Sequence, residues 1–223
     1  MKLKRPLILA SSSPRRQYLM KEAGLGFKVE KPEVDEIFPQ DLPVNEVARY
    51  LASLKAEHFR PTMGNHIVVT ADTVVIHDGM ILNKPGDRNE AIQMLSTLSG
   101  NTHRVMTGVS ILSQEKEETF DETSDVTFEK LSKQEIERYI DTFRPYDKAG
   151  SYGAQDCLPS GMNPCSPEEI KFLQSINRED LIGETITKSE TAPVVVIKKI
   201  SGSYFNVMGL PIHRVHEHLK NWE

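Results

Sequence analysis

The stretch LILASSSPRRQYLMKEAG, residues 7–24, runs four apolar residues straight into three serines, a proline and two arginines. Its first part reads as a buried strand over residues 6–11 and its second as a helix over residues 14–24. Pro14 suits the first helical position, Ser13 offers a capping hydroxyl, and Gly24 supplies a stop. Such a helix N-terminus presents unpaired backbone N–H groups and a partial positive charge, which together can seat a phosphate. Arg15 and Arg16 fall in the first helical turn, where their charge opposes the helix dipole. An anionic ligand would relieve that conflict; a surface turn with solvated arginines is the plainer alternative.

Working outward, residues 27–31 read as a short strand, and VNEVARYLASLKAEHF (44–59) as a helix with Val47, Leu51 and Leu54 at helical spacing. HIVVTADTVVIHDGMIL is a buried strand and hairpin, with Asp78-Gly79 as the turn. DRNEAIQMLSTLSG and SKQEIERYIDTF are helical, while THRVMTGVSILSQ and ETFDETSDVTFEKL alternate as strands, the second partly exposed. Residues 156 to about 192 differ in texture, with both cysteines, several prolines, a short helix in SPEEIKFLQSIN and no strong strand. APVVVIKKISGSYFNVMGLP (192–211) has a β-hairpin-like pattern, and a helix follows from Pro211. Strands alternating with helices predict an α/β fold: a mixed, bent β-sheet flanked by helices, in two lobes around a nucleotide cleft.

The 223 residues are 38% hydrophobic, enough for one sizeable core or two lobes. A net charge of -5 argues against a broad nucleic-acid or anionic-membrane face, so a polyanionic substrate must meet local cations or a metal. Seven residues separate Cys157 from Cys165, a spacing of neither a zinc knuckle nor a redox pair. No apolar run suits a membrane span, and the four-residue run after MKLKRP is short for a signal peptide. The expectation is a cytoplasmic protein.

Chemistry concentrates in four places. The first is the serine-arginine turn. The second is Thr70-Ala71-Asp72-Thr73, where a carboxylate among β-branched residues must find a partner, face a cleft or lose its solvation. It could instead simply end a strand. Glu36, Lys55 and Lys84 are isolated charges that could join it; Asp72 with Glu36 would suffice for Mg2+ if phosphate oxygens supply the other ligands. The fourth is RPYDKAGSYGAQ (144–155), where glycines permit close backbone approach and Gln155 can both donate and accept. A plain glycine loop would account for it as well. Neither a Walker A motif nor G-x-G-x-x-G occurs, and His213, His216 and His218 do not share one helical face as a zinc site requires.

With LILASSSPRRQYL, Glu36, Lys55, TADTVV, NKPGDR, LSGNTHRVMTGVSI, DKAGSYGAQ and GSYFNVMGLP in this order, the sequence resembles the Maf family of nucleoside triphosphate pyrophosphatases, also called septum formation inhibitor Maf. The resemblance implies one Maf-like domain over 1–223, a homodimer, and a fold related to inosine triphosphate pyrophosphatases. It implies metal-dependent (Mg2+ or Mn2+) hydrolysis of a nucleoside triphosphate to the monophosphate and pyrophosphate. Asp72 would be the proton acceptor and, with Glu36, a metal ligand. Ser11, Ser13, Arg16, Lys55 and Lys84 would bind substrate. Arg15, Thr73 and Gln155 match the residues of the dTTP/UTP branch; the 7-methyl-GTP branch has Trp, Glu and Glu there. A 7-methyl-GTP pyrophosphatase and a nucleotide-binding regulator of cell division are the competing readings. The chain departs from the family in a segment at about 156–192, roughly 35 residues longer than usual, and in Asp156 where Gly is usual.

Overall fold

A computed structural model of the chain describes residues 3–159, 161–182 and 196–222. It contains a mixed seven-stranded sheet in the order β2-β1-β3-β5-β6-β7, with β4 on β3, and helices between the strands. The strands are β1 (Leu7–Ala10), β2 (Phe27–Glu30), β3 (Ile67–His77), β4 (Met80–Leu82), β5 (Thr102–Leu112), β6 (Glu117–Phe128) and β7 (Ile197–Ser201). Two compact units divide the chain, one of Met1–Thr73, Met106–Glu122 and Phe205–Glu223, the other of Val74–Val105 and Thr123–Tyr204. β3, β5 and β6 contribute residues to both.

In the first unit, β1 is buried along its whole length and pairs in parallel with β2 and β3, Leu7 lying opposite both Phe27 and Ile67. Such continuous burial suits an interior parallel strand and explains the unbroken apolar run LILA. Helix α1 (Pro14–Glu22) follows directly, and the chain turns at Gly24 with φ +71°. Helix α2 (Val47–Phe59) starts three residues later than the spacing predicts, and buries Val47, Ala48, Leu51, Ala52, Ala56 and Phe59 along one face. Ile8, Ala10, Ala56, Phe59, Met63, Val68 and Leu112 form one core cluster. Each fully buried large side chain contributes about 1.5–3 kcal/mol, so this stripe fixes how α2 lies on the strands. Two contacts set its height. Thr70 Oγ1 donates to Ala52 O at 2.6 Å. Gly108 of β5 lies so close to Ala48 and Arg49 that a Cβ there would collide with their backbone.

The C-terminal helix Ile212–Leu219 buries Ile212, Val215 and Leu219. His218 Nδ1 lies 2.5 Å from Glu118 Oε1 and its ring stacks on Phe120, so this histidine holds helix to strand.

In the second unit, β4 returns antiparallel along the end of β3 through Asp78 and Gly79, both at positive φ, as the turn signal requires. Helix α3 (Arg88–Leu98) is capped by Asp87, whose carboxylate accepts from Glu90 N–H. Helix α4 (Lys133–Phe143) and helix α5 (Pro167–Ser175) each start in a capping box, Ser132 with Glu135 and Ser166 with Glu169. α3 packs against α4.

The hairpin-like reading of residues 192–211 needs correction. Residues 192–195 lie outside the described residues; β7 pairs antiparallel with β6, but its expected return strand is the short helix Tyr204–Met208. Gly202, at φ +112°, turns the chain where a Cβ would press on Ser124. Glu169 then accepts from Ser203 Oγ at 2.6 Å and from Tyr204 N–H at 3.0 Å. A carboxylate distant in sequence thus satisfies the first N–H of a helix, which no local pattern reveals.

Replacing Gly108 by Ala should lower the melting temperature by on the order of 5–10 °C through overpacking of α2. Gly26→Ala, where a Cβ meets nothing within 4 Å, should leave the melt unchanged. Thermal denaturation of the two variants checks both expectations.

Candidate functional site

The junction that opens the sequence forms as expected, with one difference. Ser13 occupies the N-cap position of α1 in extended backbone, but its hydroxyl makes no capping bond. Its N–H donates instead to Ser11 Oγ at 3.2 Å, and Ser11 is buried. With Pro14 lacking an N–H and no acidic residue in the first turn, the positive end of α1 receives no compensating negative charge from its own first turn.

The two arginines resolve the predicted dipole conflict within the protein. Arg16 Nε donates to Gly209 O at 2.8 Å, Nη1 to Ala71 O at 2.6 Å, and Nη2 to Thr73 Oγ1 at 3.1 Å. Arg15 Nε donates to Met208 O at 3.3 Å. Both cations thereby serve carbonyls at the end of the helix Tyr204–Met208, where the dipole is negative. Burial pulls Arg16 below its ordinary value, while Asp72 and Glu36 oppose that shift. A guanidinium keeps its charge under such a shift. Thr73 Oγ1 also meets Thr107 Oγ1 at 2.9 Å, and Thr107 donates to Asn206 O at 3.1 Å. Thr107, Asn206 and Gly209 are site-forming residues that sequence reasoning did not single out. A threonine beside glycine in an otherwise apolar strand, MTGV, was the available signal.

Asp72 and Lys55 meet inside this unit. Asp72 is 7% exposed and Lys55 6%. Lys55 Nζ donates to Asp72 Oδ1 and lies 2.8 Å from Glu36 Oε1. The Glu36 side chain is 47% exposed, so the cluster runs from a buried carboxylate to one in contact with solvent. The bond from Thr70 to Ala52 fixes the strand and helix that carry the pair. A lone buried charge would be strongly unfavourable; this one is tolerated because opposite charges share it. Glu36 and Asp72 converge on the Lys55 ammonium; two hard carboxylates are the donor type a magnesium-like ion takes when phosphate oxygens complete its shell. Among the described residues no group of three or more His, Cys, Asp or Glu could hold a metal.

Lys84 and Gln155 belong to the second unit. Lys84 is exposed just after β4, and the adjoining Asn83 O accepts from Gly150 N–H at 3.2 Å, which joins NKPGDR to DKAGSYGAQ. Gly150 adopts φ +68° with Val75 against it. Gln155 stands in a single helical turn, Ala154–Asp156, and its Oε1 is buried with no hydrogen-bond partner. Nearby, His103 is buried, with Nε2 2.7 Å from Tyr152 Oη and its ring edge-on to Phe128 and Tyr152. Burial, aided by the charge of His77, pushes His103 down to about 3. The site residues expected from sequence therefore divide. Ser11, Ser13, Arg15, Arg16, Glu36, Lys55, Asp72 and Thr73 lie in the first unit, Lys84 and Gln155 in the second.

Comparison with known proteins bears on this arrangement. The family described as Maf-like protein matches residues 6–162. A dTTP/UTP pyrophosphatase of Bacteroides thetaiotaomicron is 38% identical over 216 residues, covering 96% of this chain and 94% of the relative. One from Porphyromonas gingivalis is 38% identical over 222 residues, covering 97% and 94%. A solved structure of the Staphylococcus aureus Ham1 protein is 14% identical and covers 56% of this chain and 72% of that one, at a TM-score of 0.40. No helix among the described residues is long and apolar enough to cross a membrane.

His103 gives the chain a definite acid response. Its folded value of about 3 lies below the ordinary 6.5, so between those pH values the unfolded chain binds more protons than the folded one. Stability should be full above pH 6.5 and fall as the pH drops toward 3. In urea titrations at stepped pH, His103→Gln should lose stability at pH 7 but show a shallower decline across that window.

Proposed function

We propose a reaction for this chain, which belongs to the Maf family: hydrolysis of dTTP and UTP to the monophosphate and pyrophosphate. The observation that carries the reading is the buried Asp72 carboxylate, held by Lys55 at the end of a polar trail from Glu36. A pure binding protein has no need of a base in that setting.

In this reading Asp72 orients a water and takes its proton as the water oxygen bonds to the α-phosphorus. The bond from that phosphorus to the bridging oxygen breaks, and pyrophosphate departs with the electron pair. Lys55 and Lys84 balance the triphosphate charge as it shifts toward the leaving group, the electrostatic work that phosphoryl transfer chiefly needs. Ser11, Ser13 and the open N-terminus of α1 receive phosphate oxygens. Arg16 contributes its field from a fixed place, since Gly209, Ala71 and Thr73 already engage its guanidinium. A divalent cation, Mg2+ or Mn2+, would be held by Asp72 and Glu36 and would neutralise phosphate charge when bound.

Base choice is assigned to Arg15, Thr73 and Gln155. Uracil and thymine present two carbonyl acceptors flanking N3–H, and the buried Gln155 Oε1 supports a role in accepting a hydrogen bond from that N3–H. A purine or cytosine that left this oxygen unpaired would lose affinity. The names of the relatives support the same substrates. A cytoplasmic homodimer completes the reading.

Pyrophosphate release from dTTP, UTP, CTP, GTP and 7-methyl-GTP tests it directly. Turnover should be confined largely to dTTP and UTP, should vanish with EDTA, and should return with Mg2+ or Mn2+. Preference for 7-methyl-GTP would overturn the substrate assignment. Asp72→Asn should cut kcat by about 10²–10⁴-fold while the protein still melts cooperatively, because Lys55 keeps Glu36 as a partner. Near-normal turnover in that variant would rule out Asp72 as the base.

A further inference from the structure

We infer that Tyr139 is a positioning residue for base selection, acting by clamping, at Gly153, the turn that presents Gln155. The inference rests on the assignment of Gln155 above, but its evidence is separate. Tyr139, on α4, is fully buried, and its hydroxyl accepts from Gly153 N–H at 3.0 Å. The Cys157 thiol, at the far side of the turn, is buried as well. Gly153 and Cys157 bracket Gln155 at two residues on either side. Between them the backbone closes tightly, Asp156 N–H donating to Gly153 O at 3.0 Å and Cys157 N–H to Ala154 O at 3.2 Å. One phenol oxygen therefore fixes the entry of a five-residue turn that its own backbone bonds close.

The chemistry suits a fixed clamp. Burial raises the phenol well above its ordinary value and likewise raises the Cys157 thiol, so both stay protonated. A neutral hydroxyl can accept from Gly153 N–H without carrying a buried charge. Tyr152, the residue before Gly153, is held independently by His103 at 2.7 Å. Gln155 itself makes no hydrogen bond through Oε1, so its aim depends on the backbone that carries it. A side chain that must read a base edge gains most from such a frame, since small displacements cost binding.

Tyr139→Phe removes one oxygen and keeps the ring. In pyrophosphate-release kinetics its KM for dTTP should rise about tenfold, the scale of one lost buried hydrogen bond. The preference for dTTP over CTP should fall by a similar factor, kcat should stay within about twofold, and the melting temperature should drop by only a few degrees. Slow amide hydrogen exchange at Gly153 N–H is expected in the wild-type protein and serves as the test if the phenylalanine variant does not fold; exchange there at the rate of an open loop would overturn the clamp. Unchanged KM and preference in a folded variant would overturn the clamp. Gln155→Ala run in parallel separates the two levels. Should it lose preference while Tyr139→Phe does not, the base reader stands and the clamp falls. If Gln155→Ala retains the wild-type preference, Gln155 is not the reader and the clamp falls with it.

Discussion

Lys55 sits almost out of solvent between two carboxylates, and much of the first unit can be understood as the means of making that affordable. An ammonium on the apolar face of a helix is costly unless a partner of opposite charge is held at fixed range. That range is set by the approach of α2 to β3 and β5. Gly108 removes the side chain that would hold the helix off, and Thr70 ties its backbone to the strand carrying Asp72. Aliphatic residues on the same face of α2 supply the burial that offsets the charged pair.

Arginines at the start of a helix would be a local error if α1 were considered alone. They become sensible once the helix Tyr204–Met208 is placed, because its terminal carbonyls need donors and Arg15 and Arg16 provide them. The arrangement leaves the N–H groups of α1 without an acidic partner from the helix's own first turn, which keeps a positive field at the turn Ser11-Ser12-Ser13. Arg16 thus has two consequences at once: it fastens Ala71, Thr73 and Gly209 around Asp72, and it adds to the field there.

The segment after Gln155 acquires a structural part that its composition conceals. Glu169 completes the capping box of its own helix and also accepts from Ser203 and Tyr204, so one buried carboxylate starts two helices. Its full burial is tolerable because those donors surround it. Cys157 does comparable work at the other end of the segment, where its carbonyl accepts from Val196 and Ile197 N–H. Neither cysteine forms a disulfide.

The sequence by itself determined the local elements: the LILA strand, the proline-started helix and the Asp78-Gly79 hairpin all follow from periodicity and turn chemistry within a few residues. It also marked Asp72 as abnormal, since a carboxylate amid VVTADTVV needs a partner wherever the strand lies. The partner itself was decided by tertiary structure. Lys55 and Glu36 lie 17 and 36 residues from Asp72 in the chain and reach it only when α2 docks. Likewise, GSYFNVMGLP carries β-prone residues and reads as a return strand, whereas Glu169, far off in sequence, accepts the Tyr204 N–H with which the segment starts a helix instead. The clamp on Gln155 was equally hidden, because Tyr139 reads as one more apolar position on α4. Local propensity acts over a few residues, whereas buried charges and orphaned N–H groups are satisfied by whichever partners the fold brings within about 3 Å, and sequence separation places no limit on those.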